Sequence, residues 1–212
     1  MQYLGLHADA LILAYGYWAV MIAVGLESAG LPVPGETFLV AAAIYAGHSQ
    51  TLSIALVILA AAAGAILGDN LGFWLGRRFG MPLLLRRGPG LGLTVPRLKL
   101  GRYLFRLYGG RVVFWGRFVA LLRALAALLA GANMMPWRRF LAFNAAGGIV
   151  WATTFGLGGY LLGQSIRAVS GPVGIALLAL AALGAVAGWL ILRRREAEWI
   201  RRAEAEMPGP MD

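Results

Sequence analysis

The chain has 212 residues, 60% of them apolar and only 13% charged, with 19 basic side chains against nine acidic and a formal charge of +10. A soluble domain of this size carries about twice that share of charge to keep its surface in water. Composition therefore excludes a cytosolic enzyme and a disordered regulator, and points to an integral membrane protein.

In chain order, residues 10–26 are apolar and stop at Glu27, and residues 37–46 are too short to cross a hydrocarbon core of about 30 Å. Between them lies LPVPGE, where Pro32 and Pro34 each remove a backbone donor and restrict the residue before them. Residues 10–46 thus read as a re-entrant hairpin whose turn is set by Pro32, Pro34 and Gly35. Broken backbone at membrane depth is tolerated only under protein or beside a wet cavity, so its tip is expected to be buried. Residues 52–76 are long enough to span, with Asp69 and Asn70 in their second half. The connection 77–111 carries nine basic residues and no acid, which marks it as cytoplasmic. Inside it, residues 96–108 place Lys99, Arg102 and Arg106 on one stripe and Leu100, Tyr103, Leu104 and Leu107 on another, as in an interfacial helix on the inner leaflet.

Residues 112–133 are apolar but contain Arg117 and Arg123. If they crossed fully, the basic pairs and triplets that follow would lie outside. A second re-entrant hairpin over 112–139 keeps both Arg138-Arg139 and Arg193-Arg194-Arg195 inside. Residues 140–163 and 172–192 are uncharged spans, and 193–212 is a charged cytoplasmic tail, of which 196–212 read as a frayed, solvated helix. Sliding 36–80 by 84 residues superposes Gly47 on Gly131, Gly64 on Gly148 and Gly72 on Gly156. The expected fold is an all-α integral membrane protein built as an inverted repeat. Each half is a re-entrant hairpin followed by a transmembrane helix, and a C-terminal transmembrane helix completes the chain.

Before the tail there are four acids, Asp9, Glu27, Glu36 and Asp69. In apolar surroundings an ionised group costs about 3 kcal/mol unless paired or hydrated, and one whose partner leaves can change protonation. Glu27 and Glu36 are therefore candidates for proton coupling. The competing reading makes them caps for the free N–H groups of the turn. Arg117 and Arg123 are the matching cations, and a guanidinium fork suits carboxylate or phosphate. Six residues apart on an unbroken helix would put them about 120° apart, so a shared site requires a break between them. Two independent structural ion pairs are the alternative. Asp69 and Asn144 are secondary candidates, each with a structural reading as cap or interhelical glue.

No cysteine and two distant histidines, His7 and His48, leave no metal centre in prospect, and no cofactor motif is present. The basic excess lacks the aromatic-interleaved face of a nucleic-acid binder. The first apolar run has no basic stretch before it and no small-residue cleavage site after it, so the chain is expected to be uncleaved.

Glu27-Ser-Ala-Gly-Leu-Pro-Val-Pro-Gly-Glu36 resembles the E-x-x-x-x-P-x-P-G-E signature of the DedA family. Gly68-Asp69, Phe73, Gly76-Arg77 and Gly80 resemble its G-D-x-x-x-Y-x-x-G-R-x-x-G stretch. Gly116-Arg117-Phe118 to Arg123, then Ala130-Gly131, Met135, Phe140, Trp151 and Gly159-Tyr160, resemble its R-F-x-P-x-x-R block and the region beyond. Ala120 and Ala124 depart from the Pro and Thr common there, so the break between the two arginines must come from elsewhere.

The resemblance implies a bacterial inner-membrane protein that is multi-pass, has opposed hairpins and a cytoplasmic C-terminus. It also implies dependence on the proton-motive force and a role in returning undecaprenyl phosphate across the membrane. Glu27 and Glu36 match the family's essential acids, Arg117 and Arg123 its essential arginines. The expected function is transport, not enzymatic: a flippase for a lipid phosphate, with membrane lipids and protons as partners and self-association left open. The alternatives are a phospholipid scramblase, a lipid pyrophosphatase (no nucleophile with an adjacent His supports it) and a structural envelope-maintenance protein.

Overall fold

A computed structural model describes residues 2–49, 51–87, 94–118, 120–168 and 198–206. The expected span 172–192 and the basic stop at 193–195 lie outside them. The described residues are helical and contain no strand. Among the described residues the main helices are, in order, α1 (Gln2–Ser28), α2 (Gly35–Ser49), α3 (Ile54–Arg87), α4 (Val95–Tyr108), α5 (Arg111–Gly116), α6 (Ala120–Ala132) and α7 (Trp137–Ala168). Among the described residues, two stretches are long and apolar enough to cross a membrane, Ile54–Gly80 of α3 and Trp137–Gln164 of α7. Gly80, with φ 60° and ψ −159°, interrupts α3 where its apolar stretch ends.

The described parts of 1–71 and 144–174 form one compact unit, and those of 72–143 and 175–212 a second. In the first, α1 ends in a left-handed turn at Gly30 (φ 97°), where the Leu31 N–H bonds the Leu26 carbonyl and the Gly30 N–H bonds that of Glu27. A residue without Cβ meets no penalty there. The chain then passes Pro32 and Pro34 in two tight turns, with Val33 N–H donating to Leu31 O and Gly35 N–H to Val33 O. The Pro34 carbonyl accepts the first helical bond of α2, from Phe38 N–H. The LPVPGE break thus forms as the prolines require, and α1 and α2 pack together. Met21 lies on Gly64 and Gly25 on Gly68, so α1 runs alongside α3 in the same direction. Its last turn, with Gly25 and Ser28 against Gly68, meets α3 near the middle of Ile54–Gly80. Helix α7 runs the opposite way, with Gly156 on Ile58 and Asn144 on Ile66.

In the second unit, α5 and α6 pack together and α4 packs on both. Phe73, Val113, Ala127, Ala130 and Phe140 form its core, and the Phe73 and Phe140 rings stack at 4.4 Å. Helix α6 closes in a left-handed turn at Met134 (φ 55°), with Met135 N–H bonding Ala130 O before Pro136.

Each unit contains the same helix crossing. Gly47 of α2 packs on the α7 backbone at Tyr160 and Gln164, and Gly163 packs back on Ile44. Gly131 of α6, 84 positions after Gly47, packs on the α3 backbone at Phe73 and Arg77, and Gly76 packs back on Leu128, 84 after Ile44. Small residues let helix backbones approach this closely where apolar burial cannot drive association. The Gly47–Gly131 pair of the 84-residue register therefore reports a repeated packing contact, whereas Gly64 packs on Met21, Gly156 on Ile58, and the α3 and α7 positions at the two crossings stand 87 apart.

Three expectations change, the burial of the hairpin tip among them, since Leu31, Pro32 and Pro34 are exposed. Helix α4 forms where an interfacial helix was expected, but protein covers much of its apolar side. Leu98 packs with Leu125 and Leu129 of α6, and Leu100 and Tyr103 pack with Ala203. Leu107 remains 50% exposed. Residues 198–206 are a mostly exposed helical segment, as expected, but it is docked on α4 through Ala203 rather than frayed. Ala203 is fully buried, and the Tyr103 hydroxyl donates to Glu206 Oε1 at 3.2 Å. Burial, then the hydrogen bond and charge of Glu206, hold the Tyr103 hydroxyl above its ordinary range. That contribution is complete below about pH 10 and is lost as pH rises through the raised value. Ala203→Glu should undock the segment, and trypsin should then cut at Arg201 and Arg202 at least tenfold faster in neutral buffer; an unchanged cleavage rate would show that the packing does not hold it.

Candidate functional site

The break between α1 and α2 is held by one of the predicted acids. Glu27 Oε2 accepts the backbone N–H of Glu36 at 2.9 Å, across nine residues. The carboxylate thereby caps the amino end of α2, where free N–H groups and the helix dipole favour a negative charge. A hydrogen bond to a charged acceptor contributes about 1.5–3 kcal/mol. The capping reading of Glu27 is thus realised, and Glu36 enters the same contact through its backbone. Gly35 makes this possible: a Cβ there would stand 2.7 Å from Ala23 O and Val24 Cα and 2.8 Å from Glu27 Oε2. Pro32 and Pro34 are exposed, while Gly35 is buried.

Asp69 is 4% exposed on α3, one residue beyond the Gly68 that receives Gly25 and Ser28. Beside it, the Ile66 carbonyl accepts two side-chain amides, Asn70 Nδ2 at 2.7 Å and Asn144 Nδ2 at 3.2 Å. Asn144 is fully buried and fastens α7 to α3. Its interhelical role is therefore visible, and Glu27, Glu36, Asp69 and Asn144 all belong to the first unit. This gathers the predicted acids near the hairpin tip and the middle of α3.

The predicted arginines belong to the second unit. Helix α5 ends at Gly116, Arg117 caps it, and α6 begins at Ala120. Phe118 N–H bonds Trp115 O, tightening the last turn. The break needed between Arg117 and Arg123 is present although Ala120 stands where a proline was expected. Arg117 is 3% exposed and Arg123 is half-buried. Both, like Glu27, Glu36 and Asp69, are engaged by neighbouring groups. Each unit thus carries charged side chains at an interruption between two apolar helices.

Some polar residues went unassigned in the sequence. Ser28, 6% exposed, sits at the contact with Gly68. Arg77 Nη1 donates to the Met135 carbonyl at 3.1 Å and so ties the end of α6 to α3. Local patterning gives no signal for either, because both depend on chain segments distant in sequence. No group of three or more potential metal ligands occurs among the described residues.

The VTT domain family matches residues 33–161. An uncharacterized membrane protein of Synechocystis sp. is 43% identical over 152 residues, covering 72% of this chain and 69% of its own length. One of Mycobacterium tuberculosis is 39% identical over 197 residues, covering 90% and 88%. Protein DedA of Escherichia coli is 27% identical over 168 residues, covering 76% of each chain. No solved structure matches.

Proposed function

The chain belongs to the DedA family of VTT-domain membrane proteins, and from that footing we propose that it moves a lipid phosphate between the leaflets of a bacterial inner membrane. In this reading the fold is an inverted repeat. Helices α1 and α2 enter from one face, α5 and α6 from the other, and neither pair crosses. The glycine crossings shared by the two units support the repeat, and the meeting of the α1 tip with the middle of α3 supports an insertion of half-membrane depth. The basic ends of the two long helices, Arg77-Arg78 and Arg138-Arg139, then face the cytoplasm with the C-terminus.

One observation carries the proposal: ionisable side chains sit at a helix interruption in each unit, the acids in one and the buried Arg117 in the other. Charges in a membrane interior are costly and mark pathways for ions or charged substrates. Arg117 and Arg123 bind the phosphate through their guanidinium forks while the prenyl tail stays in lipid. Glu27 and Glu36 take up protons as phosphate arrives. The Glu27 cap gives that step a structural consequence. A neutral carboxyl accepts the Glu36 N–H more weakly than a carboxylate does, so protonation loosens the amino end of α2 and frees the tip to move. Alternating exposure of the two hairpins then carries the head across.

The test is flux of a labelled polyprenyl monophosphate in proteoliposomes with an imposed pH gradient. Transport is expected to rise at least tenfold over protein-free vesicles and to fall when the gradient is collapsed. Gradient-independent movement of many phospholipids would make the protein a scramblase. Release of inorganic phosphate from a prenyl pyrophosphate would make it a phosphatase, and absence of flux in folded protein would leave a structural role.

A further inference from the structure

The sequence separates Arg102 and Arg106, one turn apart on α4, from Arg139 in the first turn of α7. The fold brings all three to a single cleft of about 610 Å³ within the second unit, together with Asn133 and an apolar wall that includes Phe105 and Met135. This is the size of a small-molecule site. The three arginines are exposed, and no acid lines the cleft to neutralise them. The turn at Gly109 lets α7 come close: a Cβ there would lie 3.6 Å from Arg139 Nη2, so the guanidinium rests beside the cap of α4. The first turn of α7 adds the positive end of its helix dipole.

The depth of this cleft follows from its rim. Met135 is bound through its carbonyl by Arg77, three residues before the apolar stretch of α3 ends at Gly80. The apolar stretch of α7 starts at Trp137, which is 41% exposed, and Tyr108 at the end of α4 is 47% exposed. Aromatic rings and arginines at the end of apolar helices mark the headgroup level.

The geometry points to a second phosphate site: the cleft holds the phosphate of an anionic lipid at the headgroup level of the leaflet that the basic residues face. Three guanidinium groups suit a phosphomonoester, whose charge is about −1.5 to −2 near neutrality. Phe105 and Met135 cover the first carbons attached to it. The site uses none of Arg117, Arg123, Glu27 or Glu36 and does not depend on transport.

The test is calorimetric titration of the purified full-length chain in a neutral detergent with dihexanoyl phosphatidic acid, dihexanoyl phosphatidylcholine and inorganic phosphate. The phosphatidic acid is expected to bind at one site per chain that is weakened at least tenfold by R102Q/R106Q/R139Q and at least threefold by the milder R139Q. R201Q, on the docked segment, is expected to change it less than twofold. Thermal unfolding of each variant within a few degrees of the wild type shows that the fold is kept. Unchanged binding in the triple variant, or equal binding of phosphatidylcholine, would overturn the site. Inorganic phosphate binding as tightly as the lipid would overturn its assignment to a lipid headgroup and leave a free-anion site.

Discussion

An Arg117→Lys protein is expected to fold, to insert, and to lose between about tenfold and a hundredfold of its lipid-phosphate flux. The substitution keeps the positive charge and removes the planar fork. A lysine ammonium offers a point charge where a guanidinium offers paired, parallel donors. The loss of one charge-assisted hydrogen bond is worth about 1.5–3 kcal/mol, and each 1.36 kcal/mol in a barrier is about tenfold in rate. Arg117 is 3% exposed at the break between α5 and α6, so solvent cannot readily replace the missing donor. Arg138, exposed at the start of α7, serves as the control, and Arg138→Lys should change flux less than twofold. Monodisperse protein with normal melting and normal flux at position 117 would mean that the guanidinium is a structural anchor.

Gly35→Ala is expected to damage the first unit, because the added methyl strikes both the α1 backbone and the Glu27 cap. The added carbon would lie 2.7 Å from the α1 backbone and 2.8 Å from Glu27 Oε2, and the backbone of a helix cannot swing aside as a flexible side chain can. Overpacking of this kind costs about 1–3 kcal/mol, and the displaced carboxylate also forfeits its bond to Glu36 N–H. Thermal unfolding in detergent should fall by several degrees, and flux should fall with it. Gly158→Ala is the control, because nothing lies within 4 Å of a Cβ at that exposed helical position. There the extra methyl should be neutral or stabilise by about 0.5–1 kcal/mol. Equal unfolding temperatures for Gly35→Ala and the wild type would show that the close approach of α1 and α2 is not needed.

The parts of this molecule that were legible in advance are those governed by local chemistry. Two prolines and a glycine within four positions could only interrupt a helix, and α1 and α2 end on either side of them. Two apolar stretches long enough to span, 52–76 and 140–163, became α3 and α7. The break at Arg117 was harder to foresee, since Ala120 replaces the residue that would have enforced it. It arises instead where α5 stops at Gly116, a position whose sequence signal is no stronger than that of many other glycines in the chain. The Glu27 cap was visible only as one of two readings, because nothing in the spacing from Glu27 to Glu36 says whether the carboxylate faces a backbone donor.

What stayed hidden depends on contacts between distant segments. Helix α4 looked like a helix for a lipid surface because its apolar stripe is real. Leu98 is claimed by Leu125 and Leu129, and Leu100 and Tyr103 by residues about a hundred positions away. The same limitation applies to the basic cleft. Arg102 and Arg106 were recognised as one stripe and Arg139 as part of a cytoplasmic basic pair, but their meeting required the turn at Gly109. The 84-residue glycine register lies between these cases. It suggested a repeat, and the paired crossings at Gly47 with Gly163 and Gly131 with Gly76 give its Gly47–Gly131 pair a physical cause, while its α3–α7 pairs have none.

The account is tested most directly by photo-crosslinking in proteoliposomes. The probe is a polyprenyl monophosphate with a diazirine next to the phosphate, and adducts are mapped by peptide mass spectrometry. The expected result is labelling at both interruptions, residues 29–36 and 117–123, that falls at least fivefold in Arg117→Lys. Labelling confined to outward side chains such as Leu59, Leu67 and Leu71 of α3, which are 60–62% exposed, with neither interruption touched, would contradict it.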